Sequence, residues 1–231
     1  MIKKLSAVLA LTAAFGATSA QAAVLEFDAA KALTTTNWSD TLSIGKFDSS
    51  LGDLTSIKFV LTGDVSGIGR AESLDSGAST VNLSLASTLT LQRPDGSTLV
   101  VANPVFSTSY QFTAFDGSID FGGTSGAITG QVSNSASNSY TSSNVSDFAL
   151  FSSVGGGFIN LDLVAAGNST GSGAGNLLTQ FNTEAGGSVK VIYEYTAVTA
   201  VPEPETYGMM LLGLGLVGGL ARRRASKNKA I

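Results

Sequence analysis

The amino-acid sequence predicts an all-β fold, an antiparallel β-sandwich that could take the form of a jelly roll. We expect it to lie between an N-terminal signal peptide and a C-terminal transmembrane helix. Three observations support this prediction. The central part of the chain alternates apolar and polar residues, clusters of turn-forming residues separate the alternating runs, and both ends join an apolar stretch to positive charges. Alternation with a period of two is typical of strands that bury one face.

The first 22 residues have the composition of a secretory signal peptide. Lys3 and Lys4 precede a run of small and apolar residues, and the run closes with an A-x-A cleavage signal formed by Ala20 and Ala22. This order of charge, apolar run and small residues is typical of a segment that is removed after export. We therefore expect passage through the Sec export machinery and cleavage by signal peptidase after Ala22.

The segment 23–200 is long enough for one domain with its own core, and we assign the β-sandwich to it. Four alternating runs, at 54–67, 80–91, 157–164 and 188–197, are predicted strands. The residues predicted to be buried are Phe59, Leu61, Leu83, Leu161 and Val191. Those predicted to be exposed or at an edge are Lys58, Asn82, Asp162 and Lys190.

Clusters of Gly, Asn, Ser and Asp lie between these runs and predict turns, among them RPDGS at 93–97 and FDGS at 115–118. The stretch SNSASNSYTSSN at 133–144 has low complexity and is almost entirely polar. It predicts a mobile loop. No window of the central segment has a convincing helical stripe, so helix is expected only at the two ends and in short turns.

The charge and composition of the central segment exclude several classes of function. It holds 15 acidic residues against 6 basic residues, a net charge near −9, whereas nucleic-acid binding needs a basic surface. The whole chain has no His and no Cys. This excludes His-based triads, cysteine nucleophiles and the usual zinc and haem ligands. We expect a protein without cofactors that is not an enzyme.

Carboxylates are the remaining candidates for chemistry. Asp116 and Asp120 flank a predicted turn and Asp95 lies in another. An acid/base pair for glycoside cleavage or a Ca²⁺ site could be built from such groups, but Asp-Gly is foremost a turn signal and the spacing does not fit an EF-hand loop. Asp116 and Asp120 are thus weak metal candidates. Trp38 and Tyr110 could stack on sugar rings, although lone aromatic residues near strands are more often core residues.

The C-terminal segment 201–231 combines three features in order. Pro202, Glu203 and Pro204 precede an apolar stretch at 207–221, and an arginine cluster, Arg222–Arg224, follows it. Fifteen helical residues span about 22 Å, short of the roughly 30 Å hydrocarbon core of a bilayer. The arginine side chains can extend that reach by snorkelling to the interface and would remain on the cytoplasmic side. The segment therefore predicts a single transmembrane helix with the arginines as the stop-transfer charge.

This segment resembles the PEP-CTERM sorting domain of Gram-negative bacteria. In that family the helix is a transient inner-membrane anchor, and exosortase, a membrane-embedded transpeptidase-like protease, is thought to recognise the Pro-Glu-Pro motif and remove the helix. The resemblance implies that Pro202, Glu203 and Pro204 are the sorting and cleavage motif. It also implies export and an association with exopolysaccharide or biofilm matrix.

Three blocks of the central segment resemble the choice-of-anchor E domain. They are KFDSSLGDLTSIKFVLTGDVSG at 46–67, FDGSIDFGGTSG at 115–126 and AAGNSTGSGAGNL at 165–177. That family joins one extracellular domain to alternative C-terminal anchors, PEP-CTERM among them. The resemblance implies an exported context and no catalytic residue.

Together these observations predict an exported, non-catalytic protein of the cell surface or extracellular matrix. Two alternatives remain at this point: a carbohydrate-binding module for the exopolysaccharide and a carboxylate-based hydrolase. A row of exposed aromatic residues on one sheet face would favour the first alternative. A cleft that holds two acidic residues with opposed pKa shifts would favour the second.

Overall fold

The computed structural model describes residues 22–198 and 204–227, and the side chains of the second range only at 208–219 and 222. Residues Gln21–Ala197 form one compact unit. The predicted signal peptide lies outside the described residues except for Ala22, which begins the first strand. Pro202 and Glu203 also lie outside them, as do the side chains of Pro204, Arg223 and Arg224.

Thirteen strands and two helices occupy the described ranges. They are β1 Ala22–Thr35, β2 Trp38–Gly45, β3 Phe47–Asp48, β4 Gly52–Ser73, β5 Ser79–Gln92, β6 Thr98–Ala102, β7 Val105–Phe112, β8 Gly126–Ile128, β9 Val132–Ser142, α1 Val145–Phe151, β10 Ser152–Ser153, β11 Phe158–Gly167, β12 Thr170–Ser172, β13 Leu177–Ala197 and α2 Pro204–Lys227.

Most of these strands form two antiparallel sheets. In the first sheet β1 pairs with β13, β13 pairs with β4, and β4 pairs with β8 and β9. In the second sheet β2 pairs with β11, and β5 lies between β11 and β12 on one side and β6 and β7 on the other. The short pair β3 and β10 is parallel. The predicted all-β, antiparallel fold is therefore confirmed.

The pairing follows a nested order along the chain. Short interruptions divide β6 from β7, β8 from β9 and β11 from β12. When each of these pairs is counted as one long strand, the two sheets together contain eight long strands. The first of the eight pairs with the last, the second with the seventh, the third with the sixth and the fourth with the fifth. This is the order of one long hairpin rolled into two sheets, the arrangement called a jelly roll.

Both sheets contribute to a common core. All five residues predicted to be buried are fully buried, and the main core joins apolar side chains from β2, β4, β5, β11 and β13. Gly63 and Gly187 lie opposite each other in the first sheet. A Cβ added at either position would come within 2.8 Å of the Leu89 side chain, so these two glycines create the space that Leu89 of the second sheet fills.

The residues predicted to be exposed lie on the outer faces of the sheets. Lys58 and Asn82 are exposed, whereas Asp162 and Lys190 are half-buried. Lys190 pairs with Glu26 across β13 and β1 at 2.9 Å. Asp162 likewise accepts a hydrogen bond from the Thr41 hydroxyl of β2 at 2.9 Å, so a cross-strand partner covers part of each half-buried side chain.

The prediction of a mobile loop at 133–144 is wrong. Residues 132–142 form β9, an edge strand that pairs with β4 over eleven residue pairs. Its Ser and Asn residues have little strand propensity of their own. The pairing, and the stacking of Tyr140 on Phe59 with ring centroids 6.3 Å apart, place it in the sheet.

The inward-facing asparagines of β9 connect the two sheets. Asn138 donates its side-chain amide to the Val101 carbonyl at 2.9 Å, and Asn134 donates in the same way to the Val105 carbonyl. Both acceptors lie on β6 and β7, the edge of the second sheet. Unpaired edge groups invite association with other chains, and these bonds occupy part of that edge.

The sequence analysis also missed a helix in the domain. The seven residues of α1 are too few to show a helical period. Phe151 at its end is fully buried and packs edge-on against Phe59 at 4.9 Å. Asp147 lies in the first turn, where a negative charge interacts favourably with the helix dipole and stabilises the helix.

The helix α2 spans the stretch 207–221 for which a transmembrane helix is predicted. No helix in the described part of the chain combines the length and the apolar character that a membrane crossing requires. The transmembrane helix is therefore not shown. As a helix, the apolar stretch 207–221 is about 22 Å long, which is shorter than the hydrocarbon core of a bilayer.

Replacing Tyr193 with phenylalanine is expected to lower the free energy of unfolding by about 1–3 kcal/mol. Tyr193 is fully buried and donates its hydroxyl to the Gly45 carbonyl at 2.9 Å, so the variant loses a buried hydrogen bond. Denaturant melts of the purified chain measure the change. Tyr195→Phe, at a half-buried position, is the control and should change stability by less than about 0.5 kcal/mol. Equal effects would contradict the role of the Tyr193 hydroxyl.

Candidate functional site

The loop between β7 and β8 contains the two predicted metal candidates. The Asp116 carboxylate accepts hydrogen bonds from the Ser118 amide at 3.0 Å and the Thr124 amide at 3.3 Å. Asp120 accepts one from the Gly122 amide at 2.8 Å. The bond from Ser118 holds the pKa of Asp116 below its usual value. Both carboxylates thus stabilise the loop that carries them.

One buried carboxylate lies beneath this loop. Glu72 of β4 is fully buried, and its Oε1 accepts a hydrogen bond from the Ser125 hydroxyl at 2.6 Å, while Oε2 has no partner among the described residues. A Cβ added at Gly126 would lie 2.4 Å from that oxygen. Within 22–198 and the described part of α2, no three acidic side chains come together in a way that could hold a metal ion.

A cavity of about 270 Å³ near α1 contains two carboxylates and one guanidinium. Asp147 forms a two-pronged ion pair with Arg93, with N–O distances of 2.8 and 2.9 Å, and also accepts a hydrogen bond from the Ser142 hydroxyl. Asp95 accepts bonds from the Ser97 amide and hydroxyl. The ion pair is almost buried, with 5% of the Asp147 side chain and 16% of the Arg93 side chain exposed.

The electrostatics of this cavity bear on the hydrolase alternative. The guanidinium of Arg93 holds the pKa of Asp147 below its usual value, and the bonds from Ser97 do the same for Asp95. Both groups are therefore carboxylates at neutral pH. Glycoside cleavage needs one carboxyl with a raised pKa as the proton donor. This cavity supplies none.

A surface groove lies on the outer face of the first sheet. It has a volume of about 310 Å³ and is lined by Ile68 and Arg70 of β4 and by Gln180 and Asn182 of β13. The register places Arg70 opposite Gln180 and Ile68 opposite Asn182. Arg70 Nη1 donates to Gln180 Oε1 at 2.9 Å, and Arg70 Nε is buried without a partner among the described residues.

The two aromatic candidates lie against the core. Trp38 is half-buried, packs on the main core and donates its indole N–H to the Ala185 carbonyl at 3.2 Å. Tyr110 is half-buried and stacks on Phe112 at 6.2 Å. Of the large aromatic side chains in the described residues, Phe158 is the strongly exposed one, with 76% of its surface accessible. The described outer faces thus carry no row of exposed aromatic rings.

Sequence reasoning found neither the groove nor the ion pair. Arg70 and Gln180 are 110 residues apart, and Arg93 and Asp147 are 54 apart. The register of β4 and β13 brings the first pair together, whereas the second pair joins the turn after β5 to the first turn of α1. The one feature of the sequence that could have pointed to these residues is the small number of basic residues. The central segment has 6, few enough for each to be considered as a site residue.

Comparisons with known proteins identify the C-terminal segment. The PEP-CTERM protein-sorting motif matches residues 200–225, which contain Pro202, Glu203, Pro204 and the arginine cluster. No curated protein was found to match the chain. The resemblance of the central segment to the choice-of-anchor E domain stays a prediction.

Two structures of infectious bursal disease virus show some similarity to the chain. The infectious bursal disease virus VP2 subviral particle matches 78% of this chain and 38% of its own, with 14% identity and a TM-score of 0.18. The structure of the Gt strain of the same virus matches 84% of this chain and 47% of its own, with 12% identity and a TM-score of 0.12. The chain spans less than half the length of these structures.

Proposed function

We propose that this protein is an exported, non-catalytic protein of the cell surface or extracellular matrix, sorted by an exosortase-type protease. The observation that carries the proposal is the match of residues 200–225 to the PEP-CTERM protein-sorting motif. This segment follows directly on β13, which ends the compact domain at Ala197. A folded domain followed by a removable sorting segment is the organisation of a protein that is exported and then released.

The use of the carboxylates supports the non-catalytic part of the proposal. Asp116, Asp120 and Asp95 each accept hydrogen bonds from their own loops, and Asp147 is paired with Arg93. Paired and hydrogen-bonded carboxylates stay ionised and stabilise structure. The sequence contains no His and no Cys, which removes His-based triads and cysteine nucleophiles.

In this proposal the Sec machinery exports the chain, signal peptidase removes residues 1–22, and the apolar part of α2 holds the protein transiently in the inner membrane. Seven large apolar side chains of α2 between Met209 and Val217 are 47–71% exposed, and lipid is the solvent that suits them. Arg222 is the first residue of the cytoplasmic cluster. Cleavage at Pro202–Pro204 then releases the domain to the outer surface, where we propose that it associates with exopolysaccharide in the biofilm matrix.

The sorting step can be tested by changing the Pro-Glu-Pro motif. Replacing Pro202, Glu203 and Pro204 together with alanine in the native host should leave the C-terminal segment on the protein. Intact mass measurement of the envelope and medium fractions should then show a species that still carries residues 204–231, whereas the wild-type protein should end near residue 203. The matched control is Glu205→Ala, which removes a neighbouring carboxylate outside the motif and should be processed normally. Normal processing of the triple variant would contradict the proposal.

A further inference from the structure

The groove on the outer face of the first sheet has the features of a small ligand site. Ligand sites are concave and combine an apolar surface with a few polar groups. Here Ile68 supplies the apolar surface, and Arg70, Gln180 and Asn182 supply the polar groups. All four belong to two central strands of one sheet, β4 and β13, whose register is continuous through this region. The site is therefore rigid.

The hydrogen bonding of the groove is incomplete. Arg70 Nε is a buried donor without a partner, and Oε2 of Glu72, two residues further along β4, is a buried acceptor without a partner among the described residues. Both side chains lie on the outer face, because the intervening Ala71 is in the core. Buried polar groups are nearly always paired in native proteins, so unpaired ones call for an explanation. Of these two residues Arg70 lines the groove, and a ligand oxygen bound there would supply an acceptor for its Nε.

The charge of the domain favours a neutral ligand. Arg70 is bonded to an uncharged amide, and its outer-face neighbours along the strand are Ile68 and the acidic residue Glu72. The domain as a whole carries a net charge near −9, which repels polyanions. The amides of Gln180 and Asn182 can each donate and accept, a pattern that fits hydroxyl groups better than it fits a carboxylate.

We propose that this groove binds a sugar residue of a neutral polysaccharide. The proposal rests on the extracellular role given above and adds the site and the ligand class. Ile68 contacts the apolar face of the ring, Asn182 and Gln180 bond to its hydroxyls, and Arg70 donates to a ring or hydroxyl oxygen. No aromatic platform is involved, unlike the alternative in which Trp38 and Tyr110 stack on sugar rings.

Affinity electrophoresis of the purified full chain tests the proposal. The probes are dextran, mixed-linkage β-glucan and galactomannan as neutral polysaccharides and polygalacturonate as an anionic one, each cast into native gels. We expect at least one neutral probe to retard the wild-type chain. Arg70→Ala and Asn182→Ala should each weaken that retardation at least tenfold.

Lys58→Ala is the matched control. Lys58 is an exposed cation on the same face of the same strand and outside the groove, so its loss should leave the retardation unchanged. Thermal melts identify any variant that fails to fold, in which case Asn182→Ala carries the test alone. The proposal is overturned if no neutral probe retards the wild-type chain, if the groove variants bind like the wild type, or if only polygalacturonate binds. Because the assay uses purified protein, its failure would leave the sorting proposal standing.

Discussion

Replacing Asp147 with alanine is expected to lower the free energy of unfolding by about 3–5 kcal/mol. The variant leaves the Arg93 guanidinium, with 16% of its side chain exposed, without its charged partner. The remaining partners of Arg93, the Ser97 hydroxyl and the Thr98 carbonyl, are neutral. The Ser142 hydroxyl loses its acceptor as well. Denaturant melts of the purified chain measure the change.

Two controls identify the cause. Asp95→Ala removes the other, exposed carboxylate of the same cavity and should have a small effect, under about 1 kcal/mol. The double variant Arg93→Met with Asp147→Leu removes both charges, and replacing a whole buried pair is often close to neutral. It should recover most of the lost stability. A double variant as unstable as Asp147→Ala would show that packing, rather than the unpaired charge, causes the loss.

The same ion pair predicts a dependence of stability on pH. Arg93 lowers the pKa of Asp147 in the folded chain, whereas an unfolded chain has an Asp pKa of about 3.9. The contribution is therefore fully present above about pH 4 and is lost as the pH falls through the lowered folded value. Asp147→Asn should make stability less sensitive to pH in this acid range. An unchanged acid slope would contradict the assignment.

Replacing Leu161 with alanine is expected to cost about 2–5 kcal/mol, through lost burial and the cavity left behind. Leu161 is fully buried in β11, between β2 and β5 of the second sheet. Its side chain belongs to the main core that both sheets share. The wild-type and variant chains are compared by denaturant melts at the same pH.

Asn160→Ala is the control for this second prediction. Asn160 precedes Leu161 in β11 and is exposed on the opposite face of the sheet, so its replacement should cost under about 0.5 kcal/mol. Similar losses at both positions would mean that the alternation of β11 does not decide which side chains are buried.

The alternating strands could be predicted because their pattern is a local property. Phe59, Leu61 and Leu161 face the core in strands whose polar residues occupy the intervening positions. In β9 the pattern is absent: Ser135, Ser137 and Ser139 alternate with residues that are also small or polar. This strand exists because β4 offers it a partner, and partners are a property of the whole fold.

The candidate site was beyond sequence reasoning for the same reason. Arg70 and Gln180 are neighbours only because β4 and β13 pair in one particular register, and a slip of β13 by one residue would turn Gln180 toward the core. The turn residues were easier to predict: Asp95 bonds to Ser97 within its own short loop. Contacts between residues close together in the sequence could be predicted, whereas contacts between residues on paired strands far apart in the sequence could not.

The pairing of β13 also decides how the domain would carry mechanical tension. The strand ends at Ala197, where the chain continues toward the matched segment, and Asn182 of the groove lies 15 residues earlier, about 50 Å along the strand. In the proposed anchored stage, before the C-terminal segment is removed, a pull between a ligand in the groove and the C-terminal connection would act along β13. The hydrogen bonds to β1 and β4 run perpendicular to that direction. They would be stretched together in shear rather than opened one after another, so β13 is suited to carry tension while the domain is still anchored.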